Sequence, residues 1–197
     1  MPAKRPKYLP GHYYHFYNRG AHRVSIFREE DNYFFVLRKM KKYCCELALA
    51  PIAYCLMPNH YHYLIRQDGE APAGRLPQRV FNSYSKAYNK RYEHSGTLFE
   101  DNYKVAPVED DAHLLHLCRY IHANPVKDRL VSDVGDWPYS NYLEWIGERE
   151  GTLMDREFVR AHFPSPERYK EFVSDYLAHR RLPEELESYL DDWERAR

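Results

Sequence analysis

The segment PIAYCLMPNHYHYLIR, Pro51 to Arg66, constrains the fold more than any other in the chain. A short apolar run leads into Pro58-Asn59, and a second run follows directly. Proline and asparagine are turn formers, so the pattern predicts two strands joined by two residues. Strands joined so tightly run antiparallel. The second strand holds His60 and His62. Residues i and i+2 of a strand point to one face, with Cα atoms roughly 6.6 Å apart. Two imidazoles placed this way can converge on one ion at about 2.1 Å per bond. Tyr61, Tyr63 and Ile65 then form the opposite, core-facing side, and the histidines are expected to look into an open site. A single His-x-His pair among 11 histidines also fits a surface pair that binds nothing.

Around this hairpin the chain mixes strands and helices. HYYHFYNRG (12–20) reads as a strand and turn, and REEDNYFFVLRKMKKYCCELA (28–48) has apolar residues at helical spacing. A Gly- and Pro-containing loop precedes a helix expected over Pro77–Arg91, and TLFEDNYKVAPV (97–108) reads as a further strand. EDDAHLLHLCRYIHANPVKDRLV (109–131) opens with three acids, which favour a helix N-terminus. It is expected to stop at Asn124-Pro125, because the residue before a proline resists helical geometry. After Trp137, three short amphipathic helices separated by prolines are expected, in DREFVRAHF, SPERYKEFVSDYLAHRR and PEELESYLDDWERA. No internal repeat and no strict βαβ alternation is present, so the expected class is α+β, an antiparallel sheet with helices packed on it. Residues 1–147 are expected to form the main domain and 148–197 a helical C-terminal extension packed on it.

A chain of 197 residues can bury a core without disulfides or a structural metal. Cys44, Cys45, Cys55 and Cys118 form no C-x-x-C pair, which suits a reduced, cytoplasmic protein. No segment has the length of a membrane span, and the N-terminus lacks a signal-peptide pattern. The net charge is zero, yet residues 1–108 carry 17 Lys and Arg against 9 Asp and Glu, and residues 109–197 carry 12 against 20. Such asymmetry hints at a nucleic-acid surface beside an acidic segment, although ordinary surface charge also produces it. Many of the 19 tyrosines lie near Lys or Arg. Interleaved aromatic and basic groups suit single-stranded nucleic acid, whose bases stack and whose phosphates pair.

Tyr120 and Asn124 stand at i and i+4 on the helix expected over 109–124, so they share one face. A phenol and an amide then project together from its last turn. Docked over the histidine strand, that turn would bring Asn124 to His60 and His62 as a third ligand, with Tyr120 alongside. The plainer alternative is a packing tyrosine and a helix-capping asparagine.

At these residues the chain resembles a known family. YCLMPNHYHYLIR is similar to the HUH motif (histidine, bulky hydrophobic, histidine) of single-strand DNA transposases with one catalytic tyrosine, and RYIHANPVKDRLV to that family's tyrosine helix. YHFYNRGAHRVSIF, SGTLFEDNYK and DWPYSNY resemble its first strand and Arg-Gly turn and the segments either side of the tyrosine helix. The resemblance covers about residues 10–145 and is nearest to the REP-associated tyrosine transposases. Tyr63 stands where the family usually has an aliphatic residue, and His122 lies within the tyrosine helix, where it is expected to face away from Tyr120.

The resemblance implies the ferredoxin-like, split βαβ fold of HUH endonucleases. It also implies metal-dependent cleavage and rejoining of single-stranded DNA beside REP-like hairpins. Tyr120 would be the nucleophile. His60, His62 and Asn124 would hold Mg²⁺ or Mn²⁺, the latter matching imidazole better. A phenol, with a pKa of about 10, is a poor nucleophile unless helped. The expected partners are DNA hairpins, with Arg19, Arg23, Lys86, Lys90, Arg91 and Lys104 as candidate DNA contacts. The protein is expected to act as a monomer or homodimer at the bacterial nucleoid. Two other readings remain open at this point. One is a hairpin-binding protein with little cutting. The other is a replication-initiator-type nickase using Tyr84, Tyr88 or Tyr92, whose spacing of four equally describes an aromatic stripe packed on the sheet.

Overall fold

The computed structural model describes residues 6–108, 110–184, 186–188 and 190. Among the described residues the strands and α-helices are, in chain order, strand β1 (Tyr13–Arg19), helix α1 (Glu30–Leu47), strands β2 (Leu49–Met57) and β3 (His60–Gln67), helix α2 (Arg75–Tyr92), strand β4 (Lys104–Val108), and helices α3 (Asp111–Lys127), α4 (Tyr142–Trp145), α5 (Arg156–His162) and α6 (Pro166–His179). The strands form one antiparallel sheet in the order β2-β3-β1-β4. The expected hairpin is present, with its turn at Pro58-Asn59, and the α+β class holds.

Side-chain alternation divides the core into two layers. Tyr61, Tyr63 and Ile65 of β3 join Tyr14 and Phe16 of β1 beneath α1 and α2. Leu64 of β3 and Ile52, Ala53, Cys55 and Met57 of β2 face α3 and the helices after it. The histidines alternate with Tyr61 and Tyr63, so they belong to the second layer. They do not look into open space as expected: His60 and His62 are buried. The sheet is covered on both faces, and the sequence of the hairpin alone gave no sign of the second cover.

Two boundaries differ from the sequence reading. Residues 97–103 contribute only an isolated bridge, Phe99 to Gly20, and β4 starts at Lys104. Helix α3 runs through Pro125 to Lys127. Proline lacks the N–H that would bond one turn back, but here only one turn remains. The chain closes with the Asp128 N–H donating to the Asn124 carbonyl (2.9 Å) and Leu130 N–H to that of Pro125 (2.9 Å). At its other end α3 is capped by the Asp110 carboxylate, which accepts from the His113 N–H (3.0 Å).

Helix α3 is buried over almost its whole circumference, because the sheet lies on one side and α6 on the other. Tyr169, Val173 and Tyr176 of α6, with Phe158 of α5 and Leu186 and Leu190, close this layer. Each large apolar side chain so buried contributes about 2 kcal/mol. His122 locks the packing. Asn141 Nδ2 donates to the Ile52 carbonyl (2.8 Å), so its Oδ1 accepts, and His122 Nε2–H donates to it (2.9 Å). The other ring nitrogen, Nδ1, then accepts from the Tyr169 hydroxyl of α6. His122 thus faces away from Tyr120, as expected, but it serves as the polar joint of three elements. The third C-terminal helix expected from sequence lies partly outside the described residues.

The segment following Trp137 runs along the free edge of β2. Ser140 forms a bridge with Cys55, Leu56 N–H donates to the Tyr139 carbonyl (2.9 Å), and the Trp137 indole N–H donates to the Leu56 carbonyl (3.1 Å). The opposite edge belongs to β4, whose five residues include Pro107 and exposed Lys104.

Candidate active site

Strand register assembles one row across the sheet: Lys104 of β4, Tyr17 of β1, His62 of β3 and Cys55 of β2 stand directly opposite one another. The neighbouring row pairs Arg19 with His60. Directly paired residues share a face, so this register gathers two histidines, Tyr17, Lys104 and Arg19 on one face of the sheet. The His60 and His62 rings stand 5.2 Å apart between centroids, at 85°. Tyr120 of α3 meets His62 edge-on at 5.6 Å. The tyrosine and the histidine pair therefore come together within one chain. Tyr120 is fully buried, with Lys127 Nζ 4.2 Å from its ring centroid and Tyr176 of α6 at 6.4 Å.

Asn124 lies one turn beyond Tyr120. Its Nδ2 donates to the Tyr120 carbonyl (2.8 Å). A carbonyl only accepts, which fixes the amide orientation, and Asn124 Oδ1 is then a buried acceptor with no hydrogen-bond partner among the described residues. Such an atom is costly unless something meets it. Among the described residues no group of three His, Cys, Asp or Glu side chains is arranged to hold a metal. The donors near Tyr120 are two imidazoles and this amide oxygen, a mixed nitrogen and oxygen set suited to Mn²⁺ or Mg²⁺.

Sequence reading overlooked His15, Asn59 and Lys127. His15 Nε2 and His62 Nδ1 lie 2.9 Å apart in the interior, and burial holds His15 down to about 3, so it stays neutral. Asn59 Oδ1 lies 2.7 Å from His60 Nδ1. The signal for His15 was its alternation with Tyr17 and Arg19, but the register that joins β1 to β3 is not local in sequence.

The candidate DNA contacts fall in three places. Arg19 is buried and ion-paired with Glu100, whose carboxyl is held below its ordinary range chiefly by that bond. Arg23, in the short 3-10 turn that follows β1, and Lys104, at the start of β4, are exposed. Lys86, Lys90 and Arg91 lie exposed on α2, across the sheet from the histidines, and Arg91 pairs with Glu29 (2.8 Å). Tyr84 and Tyr88 of the same helix are core residues. Tyr88 donates to the Ser25 carbonyl (2.9 Å) and Tyr84 to that of Ile26. They form the packed stripe and stand on the face away from the histidine pair.

Comparison with known proteins agrees with this architecture. The sequence profile of the family described as "Transposase IS200 like" matches residues 9–124. A Haemophilus influenzae protein provisionally named a REP-associated tyrosine transposase is 28% identical over 113 residues, 52% of this chain and 64% of that relative's length. The chain thus spans less than two thirds of this curated relative. The solved structure of a REP-associated tyrosine transposase bound to a REP hairpin superposes with a TM-score of 0.64 at 18% identity, over 79% of this chain and 94% of the other. At that identity the likeness establishes the fold.

Proposed function

The chain belongs to the IS200-like transposase family, and on that footing we propose that it cleaves and rejoins single-stranded DNA beside hairpins, with Tyr120 as nucleophile. The observation that carries this reading is the edge-on contact of Tyr120 with His62, beside His60 and one turn from the orphaned Asn124 oxygen. The Tyr120 oxygen attacks phosphorus. The bond from phosphorus to the 3′ oxygen breaks, the 3′ oxygen leaves as a hydroxyl carrying the proton given up by the phenol, and a 5′-phosphotyrosine remains. The ester energy is kept, so a second 3′-hydroxyl reverses the step and joins strands without ATP.

His60, His62 and Asn124 Oδ1 would hold a divalent ion. When bound, such an ion polarises the phosphoryl oxygens and stabilises the leaving oxygen. Lys127, over the Tyr120 ring, adds a positive charge where the phenolate and phosphate negative charge gather. Asn124, by its bond to the Tyr120 carbonyl, keeps its own oxygen turned from the helix. Helices α5 and α6, with Leu186 and Leu190, act as a buttress that holds α3 against the sheet. The substrate class, a REP-like hairpin with a single-stranded flank, is supported by the likeness to REP-associated tyrosine transposases and by the interleaved basic and aromatic residues.

The test is a denaturing gel of protein with a labelled single-stranded hairpin and Mn²⁺. A covalent, slower band is expected from the wild type and none from Tyr120→Phe, which should still bind the hairpin within a few fold. An adduct formed by Tyr120→Phe would remove Tyr120 as the nucleophile. Its loss in Tyr88→Phe would point to α2.

A further inference from the structure

Both histidines of the pair are held at the same ring atom. His60 Nδ1 meets Asn59 Oδ1 at 2.7 Å, and His62 Nδ1 meets His15 Nε2 at 2.9 Å. Asn59 lies in the hairpin turn, and the Gly20 N–H donates to its backbone carbonyl (2.8 Å), so its position is set by the turn. His15 lies on β1, two residues before Tyr17, the register partner of His62. Its ring lies beside both the Tyr17 ring (4.8 Å between centroids) and the His62 ring (5.1 Å), which are themselves 6.0 Å apart. Neither ring partner is a carboxylate, so neither adds charge to the site.

An imidazole has two unlike nitrogens, and the bond made by one decides which state the other presents. An amide oxygen only accepts, so His60 must bring the proton to Asn59 and leave Nε2 as a lone pair. One proton also lies between His15 and His62. We propose that His15 and Asn59 are the positioning residues of the pair: each takes the Nδ1–H of one ring, turning both Nε2 lone pairs toward a shared divalent ion. This rests on the metal reading given above. It assigns His15 the tautomer protonated on Nδ1 and makes His62 the donor of the bond between them. Partners of this kind orient metal-ligating histidines, and their loss commonly weakens metal affinity by about 10- to 100-fold.

The test uses the full chain without DNA, at neutral pH. Ring-nitrogen NMR correlations of the metal-free protein should show His60 and His62 protonated on Nδ1. Mn²⁺ titration followed by electron paramagnetic resonance should give affinities lowered roughly 10- to 100-fold in His15→Ala and Asn59→Ala. His15→Gln and Asn59→Asp retain an acceptor and should recover most of the affinity. These variants carry the test if the alanine proteins do not fold, as judged by circular dichroism. A His62 ring protonated on Nε2 would overturn the assignment, and so would alanine variants that take Mn²⁺ as the wild type does. A wild type that takes no Mn²⁺ would instead sink the metal reading, and the ring spectra would then decide the positioning roles by themselves.

Discussion

His122 makes a quantitative prediction about acid stability. The ring is fully buried, and burial pushes its pKa down from 6.5 to about 4, against a smaller upward pull from the bond to Asn141. The folded-state value is depressed, so the unfolded chain binds a proton that the folded chain refuses between pH 6.5 and about 4. The stability contribution is therefore complete above pH 6.5 and lost as pH falls through 4. At about 1.4 kcal/mol per pH unit it amounts to about 3 kcal/mol. His15, held down to about 3 by burial, contributes a second slope of the same sign. His122→Gln retains hydrogen-bonding capacity but removes one of the two titrations. Urea unfolding of both proteins at pH 7, 6, 5.5 and 5 measures the gap. The variant should be the less stable at pH 7, and the gap should shrink toward pH 5, approaching a slope of about 1.4 kcal/mol per unit. A gap that stays constant over this range would refute the reasoning, because His122 would then titrate alike in both states.

Three other predictions concern the site and its surroundings. His60→Ala and His62→Ala should each lose cleavage, as should wild type in excess EDTA; because both rings are buried, His62→Ala should also lower the melting temperature, and undiminished cutting in EDTA would remove the metal. Hairpin affinity should fall steeply with salt, and replacing Lys86, Lys90 and Arg91 together should flatten the log–log slope by about 2 if all three meet phosphates; an unchanged slope would mean that the DNA does not extend to α2. Truncation after Gly147 removes the buried Phe158, Tyr169, Val173 and Tyr176 and should give an insoluble or weakly folded, inactive protein; a folded truncation that cuts faster and less selectively would make the segment a restraint on the site instead of a support.

What could be read from the sequence was what is local. The hairpin follows from two runs and a turn dipeptide, and the shared face of Tyr120 and Asn124 from a spacing of four. The stop predicted at Pro125 failed because proline is tolerated when only one turn of helix remains. The strand predicted over 97–108 was too long because aromatic content alone does not supply a pairing partner. His15 was missed because its meaning depends on β1 register against β3, some fifty residues away. The burial of the histidines was missed for the same reason: the helix that covers them, α3, and the α6 that holds it, are placed by long-range packing of Tyr169, Val173 and Tyr176.

The two margins of the sheet have a consequence for how the protein behaves at high concentration. An unpaired strand is a template on which another chain can grow. The β2 margin is occupied by the segment from Trp137 to Asn141, which satisfies Leu56 and bridges Cys55. The β4 margin is only five residues long, and it carries a proline without an N–H to offer and a lysine charge. Ribbon-like stacking of one molecule on the next is thus discouraged at both ends by different means, one a covering and one a poor template. Loss of the cover, for example by Trp137→Gly, would leave the longest strand of the sheet bare and should appear first as aggregation, before any loss of secondary structure.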